Sequence, residues 1–287
     1  MPVLNVAGTR RDPGFQTARV LGETLVSKTK GLSLNVEEMH EVEWQTYIER
    51  RKKEIDGAAH SHITECLVVH SVEGYIGGAD NFVKWVKELY KIEPSMDEKA
   101  AAAEAEKRFA DYKKKSGNAF CYLDLNFDEK GPSRMVFELN MKLCPKTSTN
   151  FLKLCTGDSK EKGEDGSTLH YKGSPFHRIV PGGWVQGGDI DKGTGTGGSS
   201  IYGKVFGDEC FTIKHDRLGV LSMANSGPHT NASQFFISLK ALPFLDNSKV
   251  AFGHLIEGSD VLARLGKVPC KNQRPVKAVT ISDCGSL

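Results

Sequence analysis

The sequence predicts an α+β protein made of two unlike domains with a charged helix between them. Up to about residue 93, apolar residues recur alternately at strand and helix spacing, in the order β-α-β-α-β-(β)-α. The next stretch, 94–117, holds alanines and charges but few large apolar side chains. From Phe120 onward many short apolar runs are separated by glycine turns, the pattern of a β-barrel or sandwich. The implied divisions are 1–93, 94–117 and 118–287.

Taken in order, Val3 to Ala7 predicts a short strand, and Asp12-Pro13 then offers an N-cap and a first-turn proline. Phe15, Ala18, Leu21 and Leu25 follow at helical spacing. Leu32 to Val36 alternates as a strand, and Val42 to Ile55 returns to helix through Trp44, Tyr47 and Ile48. Ile63 to His70 predicts a buried strand, and Gly74 to Gly78 a short edge strand or turn. Phe82, Trp85, Val86 and Leu89 mark one helix face. After Pro94, Ser95 and Glu98 form a capping-box pair, lysines 113–115 sit at the far end, and Gly117 is placed to terminate the helix. Its charges predict a solvated helix. Residues 158–168, rich in charge and glycine, predict a polar surface loop.

Composition excludes several function classes. Hydrophobic content of 39% and charged content of 26% fit a soluble globular chain. A net charge of +2 gives no reason to expect nucleic acid or an anionic membrane as partner. No apolar run approaches the roughly 18 to 20 residues of a membrane span. The start, MPVLNVAGTRRDPG, lacks the basic region and long apolar core of a secretory signal. Seven cysteines lie singly at 66, 121, 144, 155, 210, 270 and 284, which points to a reducing compartment and a cytoplasmic location. His60, His62 and Cys66 lack a fourth partner for a metal, so neither metal nor cofactor is expected.

Two segments stand out: FHRIVPGGWVQGGD at 176–189 and SMANSGPHTNASQFFI at 222–237. They set an arginine, amide side chains and aromatics among glycines, which suits a shallow pocket that holds a peptide backbone and aims one cation at it. Together with CYLDLNF, FELNMKLCPKTSTNFLKLCTG, IYGKVFGDECFTIKH and VTISDCG, they resemble the cyclophilin family of peptidyl-prolyl cis-trans isomerases from about Phe120 to Leu287. The resemblance implies a closed eight-stranded antiparallel barrel capped by two helices, near 147–156 and 258–265. It also implies rotation of X-Pro bonds, a reaction that needs no nucleophile or metal but must lower a barrier of about 18–20 kcal/mol. A guanidinium can donate to the amide nitrogen only once it is twisted out of conjugation, so that bond is strongest at the transition state.

By that resemblance Arg178 is the catalytic arginine. Gln186 and Asn225 hydrogen-bond the peptide backbone, Ala224 adds main-chain contact, and Gln234 orients the arginine. Phe236 and Leu245 are the apolar walls for the proline ring, with Trp184, Phe244 and Lys249 around them. Each residue alone has a plainer reading, since a lone arginine is ordinarily a surface charge and Asn or Gln beside glycine ordinarily serves a turn. The joint spacing sets them apart. His177 reads as a structural, inward-facing histidine.

The chain also departs from the family pattern. Gly183 stands where a phenylalanine is usual, Lys249 replaces a histidine, and Phe244 replaces a tryptophan and so removes an indole N–H donor. These changes predict weak isomerase activity or a non-catalytic proline-peptide reader, and weak binding of cyclosporin-type macrocycles. The first domain resembles a thioredoxin or glutaredoxin fold in its element order and in GYIGGADNFVKWVKELY, but GTRRDPGF holds no cysteine where a redox thiol belongs. That domain is therefore expected to be an adaptor. The combination looks like the peptidyl-prolyl isomerase-like six group, which implies proline-containing protein partners and a possible place in the ciliary axoneme. The rival expectation is a scaffold subunit whose two domains are both binding surfaces.

Overall fold

A computed structural model describes residues 1–127, 133–163 and 166–287. The chain divides into two compact units, Met1–Lys115 and Ser116–Leu287. The expected loop 158–168 includes residues 164 and 165, which lie outside the described residues.

The first unit is a four-stranded sheet with helices on both faces. Its strands are β1 (Val3–Thr9), β2 (Ser33–Met39), β3 (Cys66–His70) and β4 (Gly74–Gly77), in spatial order β2-β1-β3-β4. β1 runs parallel to β2 and antiparallel to β3, and β3 is antiparallel to β4. Alternation along the central strands sends side chains to opposite faces. Leu4, Val6 and Val68 pack with Phe15, Leu21 and Leu25 of α1 (Pro13–Lys28) and with Phe82 and Val86 of α3 (Ala79–Tyr90). Ala7 and Leu67 pack with Trp44, Tyr47 and Ile48 of α2 (Glu41–Ile55). α1 begins as its sequence dictates: Pro13 is its first residue, and Asp12 accepts a hydrogen bond from the Phe15 N–H at 2.6 Å.

Three local expectations are corrected. β3 starts at Cys66, because Ile63 is 93% exposed and the Thr64 hydroxyl donates to the Cys66 carbonyl, holding this turn out of the ladder. In α4 (Glu98–Ser116) the cap is Asp97, whose carboxylate accepts from the Ala100 N–H at 2.7 Å, rather than Ser95. Nor is α4 a solvated helix. Ala101, Ala105 and Phe109 are buried, Arg19 reaches Glu104 at 2.9 Å, and Arg108 reaches Glu38 at 2.8 Å. Small residues four apart let the helix approach closely, and the ion pairs flank that seam. The chain then turns at Gly117, whose φ of +69° is the left-handed conformation of a helix stop.

The second unit is an eight-stranded antiparallel sheet. Its strands are β5 (Ala119–Asn126), β6 (Arg134–Leu139), β7 (Arg178–Val180), β8 (Trp184–Gly187), β9 (Val220–Met223), β10 (Phe235–Ser238), β11 (Ala251–Glu257) and β14 (Thr280–Ser286). A separate hairpin pairs β12 (Cys270–Lys271) with β13 (Arg274–Pro275). The eight strands run in the order β14-β5-β6-β11-β9-β10-β8-β7. The expected closure is not made: the sheet is a half-barrel with β7 and β14 as its edges. Facing β14 is the irregular segment 173–176, through Gly173 N–H to Ile281 O (2.7 Å), Ile281 N–H to Ser174 O (3.0 Å) and Phe176 N–H to Val279 O (2.9 Å). The Ser174 N–H, which a regular ladder would give to Ile281 O, turns instead to Tyr171 O (3.0 Å), so Pro175 and Thr280 oppose each other only as an isolated bridge.

Two helices, α5 (Pro145–Thr156) and α6 (Ser259–Gly266), lie with the sheet. Phe151 of α5 centres a fully buried aromatic cluster, with ring centroids 5.0 Å from Tyr171, 5.1 Å from Phe235 and 5.3 Å from Phe252. The Tyr171 hydroxyl is satisfied by the Ser233 carbonyl at 2.7 Å. This core fixes the strands that carry the site.

Candidate functional site

Strand register places the site. Arg178 of β7 is directly opposite Gln186 of β8, Gln186 is opposite Phe236 of β10, and Phe236 is opposite Ser222 of β9. Directly opposed residues project from the same face, so the four side chains form one row across the sheet. Beside this row is a cavity of about 620 Å³. Arg178, Gln186, Ala224, Asn225 and Gln234 line it, together with residues of the segment 191–199.

Asp189 builds that segment. It is only 1% exposed. One carboxylate oxygen accepts from the N–H groups of Thr194, Gly195, Thr196 and Gly197 at 2.7–3.1 Å, and the other from Lys192 at 2.9 Å. Burial alone would raise its pKa, but these backbone donors hold it below the usual carboxylate range. Gln234 joins the segment to the sheet: its amide nitrogen donates to Gly195 O (3.0 Å) and Gly197 O (2.8 Å), and its oxygen accepts from Gln186 at 3.0 Å.

Arg178 is held differently from the sequence expectation. Its Nε donates to Gln273 Oε1 at 2.7 Å, and its guanidinium carbon lies 5.4 Å from the Trp184 ring centroid. Gln273 sits at the turn of the β12–β13 hairpin with φ +64°. Nothing near it in the sequence announces that role. His177 has both ring nitrogens buried without a hydrogen-bond partner, and burial pushes its pKa down, which keeps it neutral near pH 7.

The apolar residues are arranged less openly. Phe236 is 3% exposed. His215 stacks on it, with centroids 5.7 Å apart and planes 13° apart, and the Trp184 ring lies tilted 6.0 Å away. His215 is itself fixed by Asp246 (2.9 Å) and the Ser222 hydroxyl (3.0 Å). Leu245 is half-buried and Phe244, on the same short 3-10 turn, is 69% exposed. None of Trp184, Phe236, Phe244, Leu245 and Lys249 is among the residues lining the cavity. Lys249 instead directs its ammonium at Asn225, donating to the backbone carbonyl at 3.0 Å and to the side-chain oxygen. Burial pulls the Lys249 pKa below its ordinary value, against the opposing pull of Asp208.

Among the described residues, no group of three or more His, Cys, Asp or Glu is placed to hold a metal ion. The arrangement can grip an extended backbone through amides and carbonyls and can present one guanidinium to it. Residues 122–286 match the family model described as cyclophilin type peptidyl-prolyl cis-trans isomerase/CLD. The chain belongs to the cyclophilin family. Relatives similar over nearly the whole chain extend this beyond the cyclophilin domain. A mouse protein named "Probable inactive peptidyl-prolyl cis-trans isomerase-like 6" is 40% identical across 99% of this chain and 91% of its own length. A human protein of the same name is 39% identical across 98% of this chain and 91% of its own. The cyclophilin domain thus carries an Arg178 that lines the cavity, while Phe236 beside it is covered.

Proposed function

We propose that the cyclophilin domain binds extended, proline-containing segments of protein partners and isomerises them only weakly. The observation that supports this best is the covering of Phe236 by Trp184 beside an open polar cavity lined by Arg178, Gln186, Ala224, Asn225 and Gln234. Backbone recognition then uses Gln186, Asn225 and the Ala224 main chain. Arg178 supplies the cation that favours a twisted amide. A ring that cannot bury itself against Phe236 is poorly held, and without that grip the arginine acts on a loosely positioned bond. Lys249 adds to the weakness, because a peptide N–H seeking the Asn225 carbonyl must compete with an ammonium. The mouse and human relatives are named probable inactive, which agrees with the alternative, a catalytically inactive proline-peptide-binding scaffold, and with turnover no more than weak.

The first unit is proposed to be a thioredoxin-like adaptor without redox chemistry. Its β2-β1-β3-β4 order with one parallel pair supports the likeness. Cys66 is buried within a strand, and burial pushes its thiol far above the ordinary range, which leaves no nucleophilic thiolate.

A panel of short X-Pro peptides tests the isomerase reading, with binding followed by NMR titration and turnover by a coupled isomerisation assay. Binding should be measurable, and kcat/KM should fall below the range of about 10⁴–10⁸ M⁻¹s⁻¹ that ordinary enzymes occupy. Arg178→Ala should lower the remaining turnover by about tenfold or more with unchanged melting temperature. A wild-type kcat/KM inside that range would overturn weak catalysis. Absence of binding by every proline peptide would overturn the binding role.

A further inference from the structure

Outside the groove, the chain brings two thiols together that the proposed function does not use. Cys144 is the N-cap residue of α5 and is fully buried, and Cys210 lies in the partly exposed segment 206–211. Their sulfur atoms are 3.1 Å apart, although the two residues are 66 positions apart in the chain. A disulfide needs sulfurs at about 2.05 Å, so the two must close by about 1 Å to bond.

We propose that Cys144 and Cys210 are an oxidisable pair that forms a reversible disulfide on exposure to a hydroperoxide. Cys210 reacts first, because only it reaches solvent. Its thiolate attacks the peroxide oxygen, the O–O bond breaks, and Cys210 becomes a sulfenic acid as water or an alcohol leaves. Cys144 then attacks the Cys210 sulfur, an S–S bond forms, and hydroxide departs with the Cys144 proton as water. Two thiols have given up two protons and two electrons, and the peroxide has been reduced.

The location gives the bond a consequence. The Glu209 carboxylate already accepts from the Lys146 N–H (2.8 Å), the Thr147 N–H (2.7 Å) and the Thr147 hydroxyl (2.8 Å), so the segment caps the first turn of α5. Asp208 accepts from Asn231 Nδ2 (2.8 Å) and from the His229 N–H (2.8 Å), and Asn225 in turn donates to Asn231 Oδ1 (3.1 Å). A covalent bond at Cys210 would therefore add a fixed anchor to a set of breakable contacts, one hydrogen-bonded relay away from the cavity. It also closes a long loop of the unfolded chain, the circumstance in which a disulfide stabilises most in the chain-entropy account.

The test uses the full reduced chain treated with hydrogen peroxide at neutral pH, quenched with N-ethylmaleimide and digested. The expected product is a peptide pair joined through Cys144 and Cys210, lighter by two hydrogens and separated again by dithiothreitol. The oxidised protein should melt roughly 5 °C higher than the reduced form. Cys210→Ser should show neither change, and Cys144→Val, which keeps an apolar side chain at the buried position, should agree with it. The proposal is overturned if Cys210 proceeds to sulfinic acid with Cys144 still alkylatable after unfolding. A crosslink mapped within Cys121, Cys155 and Cys284 in place of this pair would overturn it as well.

Discussion

On the polar side of the groove five backbone N–H groups converge on one buried carboxylate, whereas on the apolar side two rings close over a third. The first arrangement holds a segment outward and keeps a cavity open. The second leaves Phe236 almost wholly buried. Each is locally well satisfied, so the covered wall is not a defect of folding. The contrast teaches that, under the proposed function, holding a peptide backbone and gripping its proline are separable properties, set by different residues on one sheet.

The most severe way to break the contrast is to remove its polar anchor. Asp189→Ala leaves five N–H groups without their acceptor and should destabilise the second unit by about 3 kcal/mol or more, read as a lower urea midpoint. The same residue predicts acid sensitivity. Its folded pKa is depressed, so its contribution is present above the unfolded value of about 3.9 and is lost as pH falls through the folded value. Asp189→Asn should flatten that acid limb, and an unchanged limb would show that other carboxylates dominate.

Gly183→Phe comes next. The glycine is buried, and a Cβ there would already lie 3.0 Å from Val180 Cγ1 and 3.4 Å from the Val180 carbonyl oxygen. Restoring an aromatic should therefore cost about 1–3 kcal/mol of stability rather than improve the pocket. A stable variant with raised turnover would show that Trp184 yields easily.

Trp184→Ala attacks the covering directly. Exposing Phe236 should raise kcat/KM on X-Pro peptides by about tenfold, equivalent to about 1.4 kcal/mol of regained contact, with a modest loss of stability. No gain would mean that His215 and the neighbouring backbone suffice to seal the ring. The smallest effect should come from Lys249→Met, which frees the Asn225 carbonyl. Peptide affinity should rise by about three- to tenfold with little change in turnover of bound peptide, in keeping with about 1 kcal/mol for one hydrogen bond.

Much of the fold was legible because period and caps agree. Asp12-Pro13 before Phe15, Ala18 and Leu21 fixes the start and the buried face of α1. α4 was legible as a helix but not as a packed one: its buried residues are two alanines and a single phenylalanine, too small a stripe to register, and its partner charges lie on distant elements. The half-barrel's strands follow the glycine punctuation, whereas its open edge goes with the Ser174 N–H leaving the ladder for Tyr171 O, a contact that no local pattern announces. In the site, the row Arg178, Gln186 and Phe236 required register, which one sequence does not give. The Gln273 contact came from a hairpin far along the chain, and the Lys249 ammonium had to be seen to meet a backbone oxygen before its effect could be judged.

Trp184 also makes the groove visible. The chain has three tryptophans, and Trp44 and Trp85 both lie in the first unit. The second unit thus carries a single indole, half-buried, with its N–H 3.4 Å from the Gln186 oxygen and a guanidinium over its ring. A ligand entering beside Arg178 should change the polarity and the quenching charge around that one chromophore, so occupancy of the groove is expected as a change in indole emission over the background of Trp44 and Trp85, without any label.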